Sequence, residues 1–218
     1  MIERARQHGG LFALLAVLVV APAASPNVAR LVLQPAQVGK GFVMLARADG
    51  KGVNGQVTMN LCGSDYPSER LRTTRLQVNY LKARSTIGVS NEVVTYSSGG
   101  AAQAMREAIQ HAVTCPRRPI DSGVKALPKL TFRITRISDP HLLKGYLAVR
   151  IDVSATVKGK HIAQTSYAVY QRRGNVLSGI YSFGTSTAGQ RELCLHAAEE
   201  SARNLRRGTS GVTSAPTA

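Results

Sequence analysis

The feature that most constrains this sequence is a run of alternating apolar and polar residues over Tyr146–Val157. Apolar side chains occupy every second position, which is the period of a strand with one buried face. Tight polar turns at 158–160 and 173–175 separate this run from two further strand-like runs, 161–172 and 176–183. Short turns between such runs predict an antiparallel meander.

The N-terminal half predicts a second hairpin. Residues 74–81 alternate in the same way, residues 83–85 turn the chain, and residues 87–96 return. Shorter strand-like runs occur at 42–47, 57–61 and 130–137. Most of the regular structure is therefore predicted to be antiparallel sheet.

Two helices complete the predicted fold. Apolar residues recur at helical spacing over 101–113, and the pattern ends at Cys115-Pro116; a second helical pattern covers 190–207. Because each helix has one apolar stripe, we predict an α+β fold in which both main helices pack on one face of the sheet. The length fits a single domain over 28–208, followed by a disordered tail at 209–218.

The N-terminus has the order of a secretory signal peptide. A basic leader precedes the apolar stretch 11–20, and an Ala-Pro-Ala sequence at 21–23 offers the small residues of a cleavage site. The apolar stretch is shorter than the roughly 20 residues that a membrane-spanning helix needs. We therefore predict a signal peptide over 1–23, cleaved near Ala23, and a secreted, extracellular protein. An uncleaved membrane anchor is the alternative.

The chain is strongly basic. It has 28 Lys and Arg against 12 Asp and Glu, which gives a net charge of +16. Such a charge attracts anionic polymers and anionic lipid surfaces. For an exported protein we expect an acidic wall polymer or a peripheral envelope contact as the partner, and no nucleic acid. The alternative is that the charge only sets solubility, because no block of five or more like charges occurs.

The three cysteines predict one disulfide and one thiol. Export implies an oxidising compartment, where a disulfide is expected. Cys62 follows a strand-like run and Cys115 closes a helical pattern, whereas Cys194 lies within a helix on its apolar face. A cysteine at the end of an element reaches a neighbour more easily than one in mid-helix. We therefore predict a Cys62–Cys115 disulfide and a buried, free Cys194.

Motifs that carry catalysis are not found in the sequence. It contains no G-x-S-x-G, H-E-x-x-H, P-loop or G-x-G-x-x-G pattern. His141 and His161 fall at predicted turns, where an exposed imidazole is the usual outcome. His196 is two residues from Cys194 and points elsewhere on a helix, so it cannot serve that thiol as a base. We predict no enzyme, no cofactor and no metal site, with an uncharacterised hydrolase as the remaining alternative.

One polar constellation is predicted on the first hairpin. A turn at 83–85 places Gln77 opposite Glu92 and Arg75 diagonal to Glu92, with Ser90 and Asn79 completing the polar face. The first interpretation is a cross-strand ion pair that contributes about 0.2–1 kcal/mol. The second is a ligand-binding patch of Arg75, Gln77 and Glu92 on the sheet face that the helices leave open.

Several short motifs resemble one protein family. They are Leu31-Val32-Leu33-Gln34-Pro35, Leu61-Cys62-Gly63, Tyr66-Pro67-Ser68-Glu69, Arg75-Leu76-Gln77-Val78, Ser90-Asn91-Glu92, Gly99-Gly100-Ala101 and Cys115-Pro116. This set is similar to exported actinobacterial sensor-domain-containing proteins and, more distantly, to the PknH-like extracellular sensor domains of actinobacterial membrane Ser/Thr kinases.

The resemblance covers about residues 30–207. It implies an antiparallel sheet with flanking helices, a disulfide between the Leu-Cys and Cys-Pro motifs, and ligand sensing in the cell envelope. Unlike those kinases, the 218 residues show no kinase domain and no second transmembrane segment, so we do not expect signalling within the same chain. We therefore expect a secreted, non-enzymatic, sensor-like domain that binds a small molecule or an anionic wall ligand. The alternative is a cationic envelope protein held to anionic polymer or lipid by charge alone.

Overall fold

The structure is a computed structural model that describes residues 27–49, 61–62, 64–121 and 128–208. The predicted signal peptide over 1–23, most of the strand-like run 57–61, and the predicted tail at 209–218 lie outside the described residues. Within the described part, no helix is both long and apolar enough to cross a membrane.

Seven strands form one antiparallel sheet, and its two hairpin regions meet in the middle. The strands are β1 (Phe42–Asp49), β2 (Arg72–Lys82), β3 (Gly88–Tyr96), β4 (Thr131–Arg136), β5 (Leu147–Val157), β6 (Lys160–Arg173) and β7 (Val176–Phe183). Their order across the sheet is β1-β2-β3-β7-β6-β5-β4. The predicted meander is β5-β6-β7, the predicted hairpin is β2-β3, and the pair β3–β7 joins them.

The helices are α1 (Val28–Leu31), α2 (Pro35–Val38), α3 (Gly100–Thr114) and α4 (Gln190–Gly208), with a 3-10 helix at Pro67–Leu71. The mixed α+β class is confirmed. The prediction that both main helices share one face is not confirmed, because α3 and α4 contribute to separate clusters on opposite faces. The reason is that the central strands are apolar on both sides. In β3, Val93 packs with α4 while its neighbour Val94 packs with α3, and each face needs a cover.

The segment before β1 forms two short helices that the alternation analysis did not predict. The Asn27 side chain accepts a hydrogen bond from the Ala29 amide at 3.0 Å, and Pro35 begins α2. Leu31 and Leu33 are buried in the cluster beneath α4. This segment therefore closes the α4 face of the sheet.

The cysteine predictions are confirmed. Cys62 and Cys115 form a disulfide with their Cα atoms 5.7 Å apart, and Cys194 is a buried free thiol. The bond fastens the segment before the 3-10 helix to the end of α3. It therefore holds α3 against the sheet face that carries the predicted polar patch.

Candidate functional site: a buried polar cluster on strands β2 and β3

The register of β2 against β3 is the predicted one. Gln77 lies opposite Glu92, Arg75 opposite Val94, and Asn79 opposite Ser90. The turn between the strands lies within 83–87, as the sequence predicts. Residues 75, 77, 90 and 92 therefore share one face of the sheet, because alternate residues of a strand point to the same side.

The predicted site residues form one continuous set of contacts. Arg75 Nε lies 2.5 Å from Glu92 Oε1, and Arg75 Nη2 donates to the Gln77 side-chain oxygen. Gln77 Nε2 in turn donates to Ser90 Oγ at 2.9 Å. The structure thus brings Arg75, Gln77 and Glu92 together.

Their burial differs from the predicted open patch. Arg75, Gln77 and Glu92 are only 3, 8 and 1 % exposed. Helix α3 packs on this face, because Val94 and Tyr96, which point to the same side of β3 as Glu92, belong to the cluster beneath α3. A role of these three residues in ligand binding stays a prediction, and any ligand would reach them only after part of the cover moves.

Arg72 is a further member that the sequence analysis missed. Its Nη1 lies 3.6 Å from Glu92 Oε1, and its Nη2 donates to Glu69 Oε1 at 3.4 Å. The register shifts between Arg72 and Thr74, which breaks simple alternation along the strand. The first hairpin was predicted to begin at residue 74, so periodicity gave no reason to include position 72.

The Arg72 guanidinium is incompletely paired. Its side chain is 1 % exposed, yet within the described part of the chain Nε and Nη1 make no hydrogen bond. The Tyr96 hydroxyl is also buried there without a hydrogen bond of ordinary geometry. Burial raises the pKa of Tyr96 well above its usual range, and the charge and close approach of the neighbouring Arg72 guanidinium oppose that rise only in part. The phenol therefore stays a neutral donor at any physiological pH.

The positive and negative charges that are buried in the cluster are not equal in number. Two guanidinium groups, Arg72 and Arg75, and one carboxylate, Glu92, have side chains that are 1 % exposed. Glu69 would supply a second negative charge, but its side chain is 40 % exposed and lies at the margin of the cluster. The fully buried part of the cluster therefore carries an excess of positive charge.

The 3-10 helix that precedes Arg72 is tied to α3. Ser68 donates from its hydroxyl and its amide to Glu107 Oε2 at 2.5 and 3.2 Å, and the rings of Tyr66 and His111 make an edge contact at 4.8 Å. An open groove of about 430 Å³ lies beside this junction, lined in part by Pro67 and Glu107. These contacts form the described part of the cover near the cluster.

Cys194 is unsuited to nucleophilic chemistry. Burial raises the pKa of its thiol to about 12, against weaker opposing hydrogen bonds from Ser182. The reactive thiolate is therefore not populated near neutral pH. Cys62 and Cys115 are joined in a disulfide, so neither of them offers a free thiol.

Comparison with solved structures identifies a similar fold. The crystal structure of the extracellular domain of PknH from Mycobacterium tuberculosis matches with a TM-score of 0.53 and 11 % sequence identity. The match covers 80 % of this chain and 94 % of that domain. No family model matches the chain, and no curated protein matches it by sequence. The property that the two chains share is therefore the fold.

Proposed function

We propose that this chain is a non-enzymatic, sensor-like domain of the cell envelope that binds a small anionic ligand at the buried cluster on β2 and β3. The observation that carries the proposal is the Arg72 side chain, which is 1 % exposed and has two nitrogens without hydrogen bonds in the described part of the chain. The fold shared with the PknH extracellular domain and the Cys62–Cys115 disulfide support an extracellular setting.

The energetic argument concerns desolvation. A buried polar group that loses water without gaining a partner costs about 1–3 kcal/mol, and a charged group costs more. Most buried polar groups in proteins are paired, so an exception needs an explanation. A ligand that supplies acceptors to Arg72 would remove this cost on binding.

The donors present define the class of ligand. Arg72 offers Nε and Nη1, and the Tyr96 hydroxyl adds a neutral donor. Nε and Nη1 lie on different edges of the guanidinium, so each would donate to a separate acceptor oxygen of an anion such as a carboxylate or a phosphate. The excess of buried positive charge favours an anion for the same reason. Gln77 and Ser90 would then hold Arg75 in place rather than contact the ligand.

The first test is native mass spectrometry of protein recovered from culture medium, followed by thermal shift with inorganic phosphate and small carboxylates. We expect a bound mass that is lost on denaturation, or a Tm that rises with one of these anions. Arg72→Lys keeps the charge but loses the Nε and Nη1 donors, and should abolish the effect. Arg150→Lys, on an exposed position of β5, is the matched control and should leave it unchanged.

The same experiment can reject the proposal. A bare chain whose Tm does not respond to any of these anions would contradict ligand binding at this cluster. A bound mass or Tm response that Arg72→Lys leaves intact would place the ligand elsewhere. The spectrum also gives the mature N-terminus, which tests secretion and cleavage near Ala23 separately from the ligand.

A second candidate function rests on the surface charge. Most Lys and Arg side chains of the described residues are exposed, whereas the exposed acidic residues among the side chains described are Asp65, Asp121 and Glu192. We propose as the alternative that this surface holds the protein to an anionic wall polymer or lipid surface without a defined pocket.

Salt separates the two functions. Binding to an anionic polymer through exposed charges should fade between low salt and about 0.5 M salt, where the screening length falls to a few ångströms. It should not depend on Arg72 or Gln77. Co-sedimentation with the polymer for wild type, Arg72→Lys and Gln77→Ala at both salt concentrations distinguishes the candidates. Salt-resistant binding that Arg72→Lys removes would instead favour the buried site.

A further inference from the structure

A cluster of potential metal ligands lies away from the β2–β3 site. The loop between β4 and β5 supplies Asp139 and His141, and helix α4 supplies Glu199. One ligand atom from each side chain lies within 4.8 Å of the others. Sequence patterns could not predict this grouping, because Glu199 is 58 positions from His141 and only the fold brings them together.

The distances suit a small divalent ion. His141 Nδ1 lies 3.2 Å from Asp139 Oδ1 and 3.7 Å from Glu199 Oε1. Zn²⁺ binds nitrogen and carboxylate ligands at about 2.0–2.2 Å in a tetrahedral arrangement, so its ligand atoms are about 3.3 Å apart. The three atoms therefore need only small movements to share one ion.

The ligands are held by packing rather than placed on a free loop. Leu142, next to His141, is buried in the core beneath α4. The Asp139 amide donates to the Tyr146 hydroxyl at 2.7 Å, and the Leu143 amide donates to Gln171 Oε1 at 2.9 Å. Ion binding would therefore lose little conformational entropy in the loop.

The environment of the cluster is mixed in charge. His141 without a metal makes contacts of ion-pair length to two carboxylates, an arrangement that a protonated imidazole also satisfies. Arg206 donates to the His141 carbonyl at 3.4 Å, and Arg203 is paired with Glu200 at 2.5 Å. The carboxylates of Asp139 and Glu199 face one another across this cluster, so a divalent cation between them would balance their charge.

We propose that Asp139, His141 and Glu199 bind one divalent transition-metal ion of the zinc class, with a fourth position open to water. A mixed imidazole and carboxylate set favours Zn²⁺ over Mg²⁺ or Ca²⁺, which take oxygen ligands. The His141 side chain is 70 % exposed, so solvent reaches the ion directly. The ion would tie the β4–β5 loop to α4, and this inference is independent of the proposed function.

The test is isothermal titration of the purified, EDTA-treated and dialysed full chain with ZnCl₂, with Co²⁺ absorption as a readout of tetrahedral geometry. Wild type should bind one ion and gain Tm; at 100-fold excess over Kd the rise should be about 5–10 °C. His141→Ala and Glu199→Gln should each weaken binding at least 10-fold and remove the Co²⁺ signal. His161→Ala, at another exposed histidine, should bind like wild type.

Circular dichroism of each variant shows whether it is folded, so that weaker Zn²⁺ binding is not mistaken for the effect of unfolding. Two outcomes overturn the proposal. One is the absence of saturable Zn²⁺ binding to the folded wild type. The other is binding that both His141→Ala and Glu199→Gln retain, since the ion would then sit on other side chains.

Discussion

Replacing Glu92 with glutamine should be among the most damaging single substitutions on the sheet. The Glu92 carboxylate lies 2.5 Å from Arg75 Nε and 3.6 Å from Arg72 Nη1, and all three side chains are 1 % exposed. Glutamine keeps the size of the side chain and removes only the charge. Two buried guanidiniums would then face a neutral amide.

The magnitude follows from the burial. Breaking a buried ion pair by removing one partner costs about 3–5 kcal/mol, because the remaining charge is left uncompensated. For a domain of this size, that corresponds to a fall in Tm of about 6–20 °C. The assay is urea unfolding followed by circular dichroism, with Tm from calorimetry as a second measure.

The matched control is Asp152→Asn on strand β5. It also removes one carboxylate charge from a strand, but its partner Arg150 lies 2.8 Å away in a pair whose side chains are 48 and 31 % exposed. Water screens such a pair, so we expect a much smaller change in the unfolding midpoint. Equal effects of Glu92→Gln and Asp152→Asn would refute the claim that Glu92 neutralises a buried charge.

Three further predictions test other parts of the structure. Removing the disulfide with Cys62→Ser and Cys115→Ser should lower the free energy of unfolding by about 4 kcal/mol for a separation of 53 residues, measured by urea unfolding; a loss below about 1 kcal/mol would contradict the chain-entropy reasoning. Cys194 should resist iodoacetamide at pH 8 in the folded protein and react in urea, because burial raises the pKa of its thiol to about 12; mass spectrometry that finds rapid native labelling would disprove its burial. Asn91→Ala should cost about 2–3 kcal/mol, since Asn91 Oδ1 accepts from the Leu33 backbone amide at 2.8 Å and Asn91 Nδ2 donates to Ser178 Oγ at 3.0 Å; half-buried Asn79→Ala is the control, and an equal effect would argue against this role.

The sheet was predictable because its strands lie in hairpins. Alternation and short turns located β5, β6 and β7, and the turn at 83–85 fixed which residues of β2 and β3 face each other. The sides taken by α3 and α4 were not predictable from helix patterns alone. Adjacent Val93 and Val94 in β3 were the signal that both faces of the central strand are buried.

The site was predictable in its pairing but not in its burial. A cross-strand contact depends on register, which the turn sets locally. Burial depends on α3 and the 3-10 helix, which reach this face through tertiary contacts such as that between Ser68 and Glu107. Arg72 and the cluster around His141 were missed because tertiary structure places their partners. A register shift in β2 positions Arg72, and the distant helix α4 brings Glu199 to His141.

The order of the strands has a consequence for how the chain acquires its structure. Strand β3 is buried along its whole length, and it pairs on one side with β2, its neighbour in sequence, and on the other with β7, about 90 residues later. Until β7 has been synthesised and docked, one hydrogen-bonding edge of this fully buried strand is open. Pairings of such long range are slow to form, and an open edge is a template for other chains. An emerging or truncated chain that ends before residue 176 should therefore depend on a chaperone, or on delayed folding, to avoid aggregation.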